Sequence, residues 1–109
     1  MECLAYATQK WKEVTGKPSP SSSWYPGEFW RNAEHTTSGI RVPGIAIWIN
    51  NKYTDRGHAL FIAASDSRTH DLTCYEANWD YNGNTRIIYR TPEELKAMYD
   101  DKIWKGCVY

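Results

Sequence analysis

The sequence predicts an α+β domain, with N-terminal helices packed on an antiparallel β-sheet. Three observations carry this. Leu4, Ala7, Trp11 and Val14 recur at three- and four-residue steps, the spacing of one helical face. From Ile45 onward the pattern changes to short apolar runs separated by polar turns, which reads as strands. Asn82-Gly83 lies between two such runs and is a strong hairpin signal. Helices first and a meander of strands afterwards favour α+β over a parallel α/β arrangement.

Each element has its own signal. The first helix starts near Cys3 and stops at Gly16, with Pro18 just beyond. Pro18 to Ser23 is a loop of Ser and Pro. A second, short helix is expected from Glu28 to His35, after a Pro26-Gly27 turn, and Thr36 to Pro43 is a polar connection. Ile45 to Ile49 reads as a strand. Gly57-His58 opens the next one, whose segment Ala59 to Ala64 is apolar on both faces and is therefore expected to be central and covered on both sides. Leu72 to Asn78 is the third strand and Thr85 to Tyr89 the fourth. Thr91-Pro-Glu-Glu94 combines a capping box with Pro at the first helical position, so a short helix follows, through about Tyr99. Ile103 to Tyr109 supplies a last strand. With no internal repeat and no linker, residues 1–109 are expected to form one domain.

Composition narrows the function. Thirteen basic and thirteen acidic residues cancel, so no general electrostatic draw toward nucleic acid is expected. No apolar run approaches the roughly 20 residues of a membrane span, and no basic region leads into an apolar stretch as in a signal peptide. Three cysteines are an odd number, which argues against a disulfide framework. No C-x-x-C or His-x-x-x-His spacing suggests a metal site, and no cofactor is expected. Aromatic residues make up 15% of the chain, enough both to fill a core and to line a groove for a sugar or peptide.

The chemistry-bearing residues are Cys3, His58, Glu76 and Asn78. Unpaired N–H groups and the dipole at a helix N-terminus favour the thiolate of a cysteine placed there. His58 stands at the head of a strand face that also carries Leu60 and Ile62, at the edge of a hydrophobic layer. Strand alternation puts Glu76 and Asn78 on one face, two residues apart, available to His58 on a neighbouring strand. A carboxylate there would hold the imidazole in the tautomer that activates a thiol. His70, near the start of the third strand, competes with Glu76 as the third member. His35 reads as a surface residue.

Cys3 at the helix head, Pro43-Gly-Ile-Ala-Ile-Trp48, Gly57-His-Ala-Leu-Phe-Ile62 and Glu76-Ala-Asn-Trp79 resemble the CHAP domain (cysteine, histidine-dependent amidohydrolase/peptidase). The resemblance covers nearly the whole chain, with Glu-x-Asn its most specific part. It implies a papain-like α+β fold and a peptidoglycan hydrolase: an N-acetylmuramoyl-L-alanine amidase or a peptidoglycan endopeptidase. Cys3 would be the nucleophile and His58 the general base, then acid. Glu76 would orient the imidazole, and Asn78 would assist orientation or the oxyanion hole. Trp24, Tyr25 and Trp79 would hold substrate. The resemblance also implies a monomer acting on bacterial peptidoglycan, as a secreted enzyme or a released phage lysin. The family usually carries a segment before the cysteine that can bind calcium. Met1 and Glu2 stand there in this chain, and no calcium site carries over. Two alternatives accompany this one: an NlpC/P60-like peptidase using Cys3, His58 and His70, and a non-catalytic wall-binding module.

Overall fold

The computed structural model describes residues 2–109. Helix α1 spans Cys3–Thr15 and presents Leu4, Ala7 and Trp11 to the interior, while Val14 in its last turn is exposed. Gly16 ends it in the left-handed conformation, at φ 69°, and returns its N–H to the Lys12 carbonyl. The Trp11 indole N–H donates to the Pro18 carbonyl at 2.9 Å, which folds the Pro/Ser loop back along the helix.

Helix α2 spans Pro26–Asn32, earlier than the expected Glu28 to His35. Pro26 and Gly27 are its first turn, because proline is preset for the first helical position. Ala33 is extended and ends the helix, so His35 instead forms a bridge to Val108 and stacks on Trp30 at 3.8 Å. His35 is therefore half-buried, not a plain surface residue.

The strands are β1 (Gly44–Ile49), β2 (Gly57–Ser65), β3 (Leu72–Ala77), β4 (Thr85–Arg90) and β5 (Ile103–Val108). They form one antiparallel sheet in the order β4-β3-β2-β1-β5. The architecture is α+β, as the sequence predicts, and β2 is central. Helix α3 (Pro92–Lys96) has both bonds of its capping box, centred on Thr91 and Glu94. It stops short of the expected Tyr99, because the following residues turn toward the sheet.

Period-two alternation splits the sheet into two cores. On one face Ile45, Ile47, Ala59, Phe61 and Val108 pack under Leu4, Ala7, Trp11 and Phe29 of the first two helices. On the other, Ala46, Trp48, Leu60, Ile62, Leu72 and Cys74 pack under Leu95, with Met98 and Tyr99 beside them. β1 and most of β2 are buried on both faces.

Candidate thiol–imidazole–carboxylate site

Cys3 occupies the first helical position of α1, after Glu2 as N-cap. Its backbone N–H is thus one of the helix N-terminal donors without a partner inside the helix. β2 begins at Gly57, directly opposite Ile49 of β1. A Cβ at Gly57 would strike the Trp48 carbonyl oxygen and come within 2.6 Å of the Ile49 Cα. Glycine there lets β2 start flush against β1 and sets His58 at the end of the sheet.

β2 and β3 pair Leu60 with Glu76, so His58 and Glu76 are diagonal neighbours on one face. The His58 Nε2–H donates to Glu76 Oε2 at 2.7 Å. His58 is 5% exposed and Glu76 is fully buried. With Nε2 engaged, Nδ1 is the ring nitrogen left for the thiol. Cys3 and His58 line one cleft of about 260 Å³, together with Asn78, Trp79, Tyr99 and Lys102.

Electrostatics bind the group together. Burial pulls the His58 pKa down, but the neighbouring Cys3 thiol and the hydrogen-bonded Glu76 carboxylate outweigh it, so the imidazole holds its proton above the usual range. Burial pushes the Glu76 carboxyl up, but hydrogen bonds from His58, Tyr99 and Arg86 leave it below the usual carboxylate range.

Two members of this network carry no motif. The Tyr99 hydroxyl donates to Glu76 Oε2. Burial and the adjacent Glu76 charge push its pKa up, so it stays a donor. Arg86 donates through Nε to Glu76 Oε1 at 2.7 Å. Arg86 is the direct cross-strand partner of Glu76, whereas a two-residue turn at Asn82-Gly83 would have set Tyr89 opposite Glu76, so the hairpin signal did not reveal it. Tyr99 lies past the end of α3, and no local pattern marks it.

The remaining candidates are placed differently. Asn78 lies just past β3 in the left-handed region, at φ 60°, so strand alternation does not align it with Glu76. Its Oδ1 accepts from the Gly83 N–H at 2.9 Å, which closes the β3–β4 turn. It lines the cleft, but among the described residues it makes no hydrogen bond to His58. Trp79 lines the cleft and stacks on the Arg86 guanidinium at 4.2 Å. Trp24 and Tyr25 lie outside the cleft, in an adjoining groove with Glu2 and Glu28. His70 sits in the β2–β3 turn, where its N–H bonds the Asp66 carbonyl at 2.9 Å. That turn is at the other end of β2 from His58, so a Cys3–His58–His70 triad is not assembled. Cys74 and Cys107 are buried, and desolvation pushes their thiols up to about 12 and about 11. Among the described residues no cluster of His, Cys, Asp or Glu could hold a metal ion, and no helix is long and apolar enough to cross a membrane.

No family model matches the chain, and no solved structure does. A curated relative is an endo-β-1,6-galactanase of Hypocrea rufa, 30% identical over 90 residues. The match covers 78% of this chain and 18% of that protein, so the chain spans less than a fifth of its relative's length. The match corrects the enzyme class expected from the sequence. That class was a cysteine amidase or peptidoglycan endopeptidase, whereas the relative carries a glycosidase name.

Proposed function

We propose that this chain is a cysteine-nucleophile acyl-transfer domain that acts on acyl groups carried by a cell-wall glycan. The observation behind this reading is the imidazole of His58, tied to the buried Glu76 at 2.7 Å and sharing a cleft with Cys3. The glycan part draws on the relative's name. Bacterial peptidoglycan, implied by the resemblance to CHAP domains, is an acylated wall glycan and the first substrate to test. β-1,6-Galactan is the second. A papain-like placement of the three groups, a monomeric state and action at the cell wall belong to the same proposal.

The chemistry follows from the geometry. The Cys3 sulfur attacks the acyl carbon while its proton resides on His58 Nδ1. The oxygen of the tetrahedral intermediate is met by the Cys3 backbone N–H at the helix N-terminus. The Asn78 side-chain NH₂, unlike its oxygen, is available to assist there. The bond to the leaving group breaks as His58 returns the proton to it. Water then gives a proton to His58, attacks the thioester and releases the acid, and the sulfur leaves. Glu76 stabilises the imidazolium throughout.

The experiment compares wild-type protein with Cys3→Ala on purified peptidoglycan and on acylated β-1,6-galactan, with products identified by mass spectrometry. Release of acyl product that depends on Cys3 is the expected result. New reducing ends in place of acyl release, or equal release by Cys3→Ala, would refute the proposal. A second reading, a non-catalytic glycan-binding module, is favoured by one observation: Trp24 is 83% exposed. Wall binding without any Cys3-dependent product would establish it.

A further inference from the structure

The thiol cleft carries a charge that the chemistry above does not use. Lys102 lines it together with Cys3 and His58. The sheet fixes its place. The next residue, Ile103, opens β5 opposite Ile49 of β1, and Ile49 in turn faces Gly57, which opens β2. Lys102 therefore stands at the end of the sheet where His58 sits. Its backbone N–H donates to the Tyr99 carbonyl at 3.2 Å, and its ammonium lies 5.9 Å from the centre of the Tyr99 ring.

An ammonium carries three donors. The Lys102 side chain is only 10% exposed, so water reaches little of it. Among the described residues its one anionic partner is the carboxylate of Asp101, its neighbour in the chain, at 3.4 Å. That carboxylate is 67% exposed and the contact is long, so it neutralises little of a shielded charge. Glu76, behind His58, is already held by His58, Tyr99 and Arg86. Lys102 is thus a cation with donors to spare, in a cleft of about 260 Å³ that it shares with the thiol. A cleft that small brings any group bound in it near both the thiol and the ammonium.

A carboxylate is the complement of such a group, and a neutral amide of the same shape is not. We propose that Lys102 is the specificity residue of the thiol cleft, selecting acyl substrates that bear a carboxylate beside the bond that Cys3 attacks. The selection rests on the thiol chemistry proposed above and deepens it, since nothing in that chemistry distinguishes a charged acyl group from a neutral one.

Two alkylating reagents of nearly one shape test it: iodoacetate, which carries a carboxylate, and iodoacetamide, which does not. Their second-order rate constants at Cys3 are measured by peptide mapping at neutral pH, on the folded chain and after unfolding in urea. The iodoacetate-to-iodoacetamide ratio should be about ten-fold higher in the folded protein, the effect of one nearby cation, and added sodium chloride should lower it. That comparison needs no variant. Lys102→Met keeps the stem and should abolish the preference by slowing iodoacetate, with the iodoacetamide rate unchanged. Lys102→Arg should keep most of the preference, and Lys17→Met, at the far end of α1 from Cys3, should keep all of it. Equal ratios in folded and unfolded protein, or a Lys102→Met protein in which both reagents slow alike, overturn the proposal. Cys3-dependent acyl release is scored separately. If release persists while the ratio ignores Lys102, the selection fails and the chemistry stands. If the ratio follows Lys102 without acyl release, the chemistry fails and the carboxylate site stands.

Discussion

A fully buried carboxylate survives only if every oxygen is matched, and Glu76 meets that condition with three donors: His58 and Tyr99 on Oε2, Arg86 on Oε1. Only the first of these was legible in the sequence. Cys3, His58 and Glu76 can be read because helix position and strand period fix their directions. Tyr99 arrives through tertiary packing, and Asn78 was misplaced because one left-handed residue cancels the alternation that aligned it. Changing Glu76 to Gln keeps the shape but removes the charge that stabilises the imidazolium. A loss on the order of 10²-fold in Cys3-dependent turnover is expected, by analogy with the carboxylate of serine triads, while His70→Ala should change turnover little. The reverse ranking would return His70 to the site. Among the thiols, Cys3 is half-buried at the cleft, whereas Cys74 and Cys107 are enclosed in the second core. Iodoacetamide at neutral pH should therefore modify Cys3 alone in the folded protein, and all three cysteines after unfolding in urea. Peptide mapping checks this, and faster labelling of Cys74 would contradict the assignment.

At the scale of elements, most boundaries were written in local signals. Gly16 ends α1, Thr91 and Glu94 start α3, and Asn82-Gly83 lies in the β3–β4 connection. The second helix was placed late because Pro26-Gly27 was taken for a turn, although proline opens helices as readily. The sequence also showed a glycine before His58 that permits close approach, but not what approaches. The structure supplies it: the backbone of β1, at Trp48 and Ile49. Gly57→Ala is therefore expected to push β1 and β2 apart at the end of the sheet where His58 sits. Overpacking of this kind costs about 1–3 kcal/mol. Urea unfolding should show that loss, and Cys3 alkylation should slow or speed measurably as His58 moves. A Gly57→Ala protein with wild-type stability and labelling would mean that the strand start has room to adjust.

The whole molecule is a sheet covered on both faces, and the site lies where the two layers meet at one end of it. α1 brings Cys3 from the first core, β2 and β3 bring His58 and Glu76 on the opposite face, and the segment after α3 brings Tyr99. Sequence pattern sorted residues to faces but could not say which ends coincide, since that depends on chain path. The ion pair of His58 with Glu76 is thus tied to both cores, and global stability should report its titration. The signs are opposite for the two partners. His58 has its pKa raised on folding from an ordinary 6.5, so its contribution is complete below that pH and is lost as pH rises through the folded value. Glu76 has its pKa lowered from 4.5, so its contribution is complete above that pH and is lost as pH falls through the folded value. Unfolding free energy should therefore peak between about pH 4.5 and 6.5 and decline on both sides. Other carboxylates such as Asp66 and Asp80, also lowered, add to the acid limb, so the wild-type curve alone does not isolate the pair. Glu76→Gln does: relative to wild type, its deficit should be greatest in the central window, shrink toward low pH as Glu76 protonates, and shrink above neutrality as His58 loses its proton. Urea midpoints from pH 3 to 9 for both proteins measure it. A deficit constant across that range would show that Glu76 contributes by packing and neutral hydrogen bonds, without an ion pair to His58.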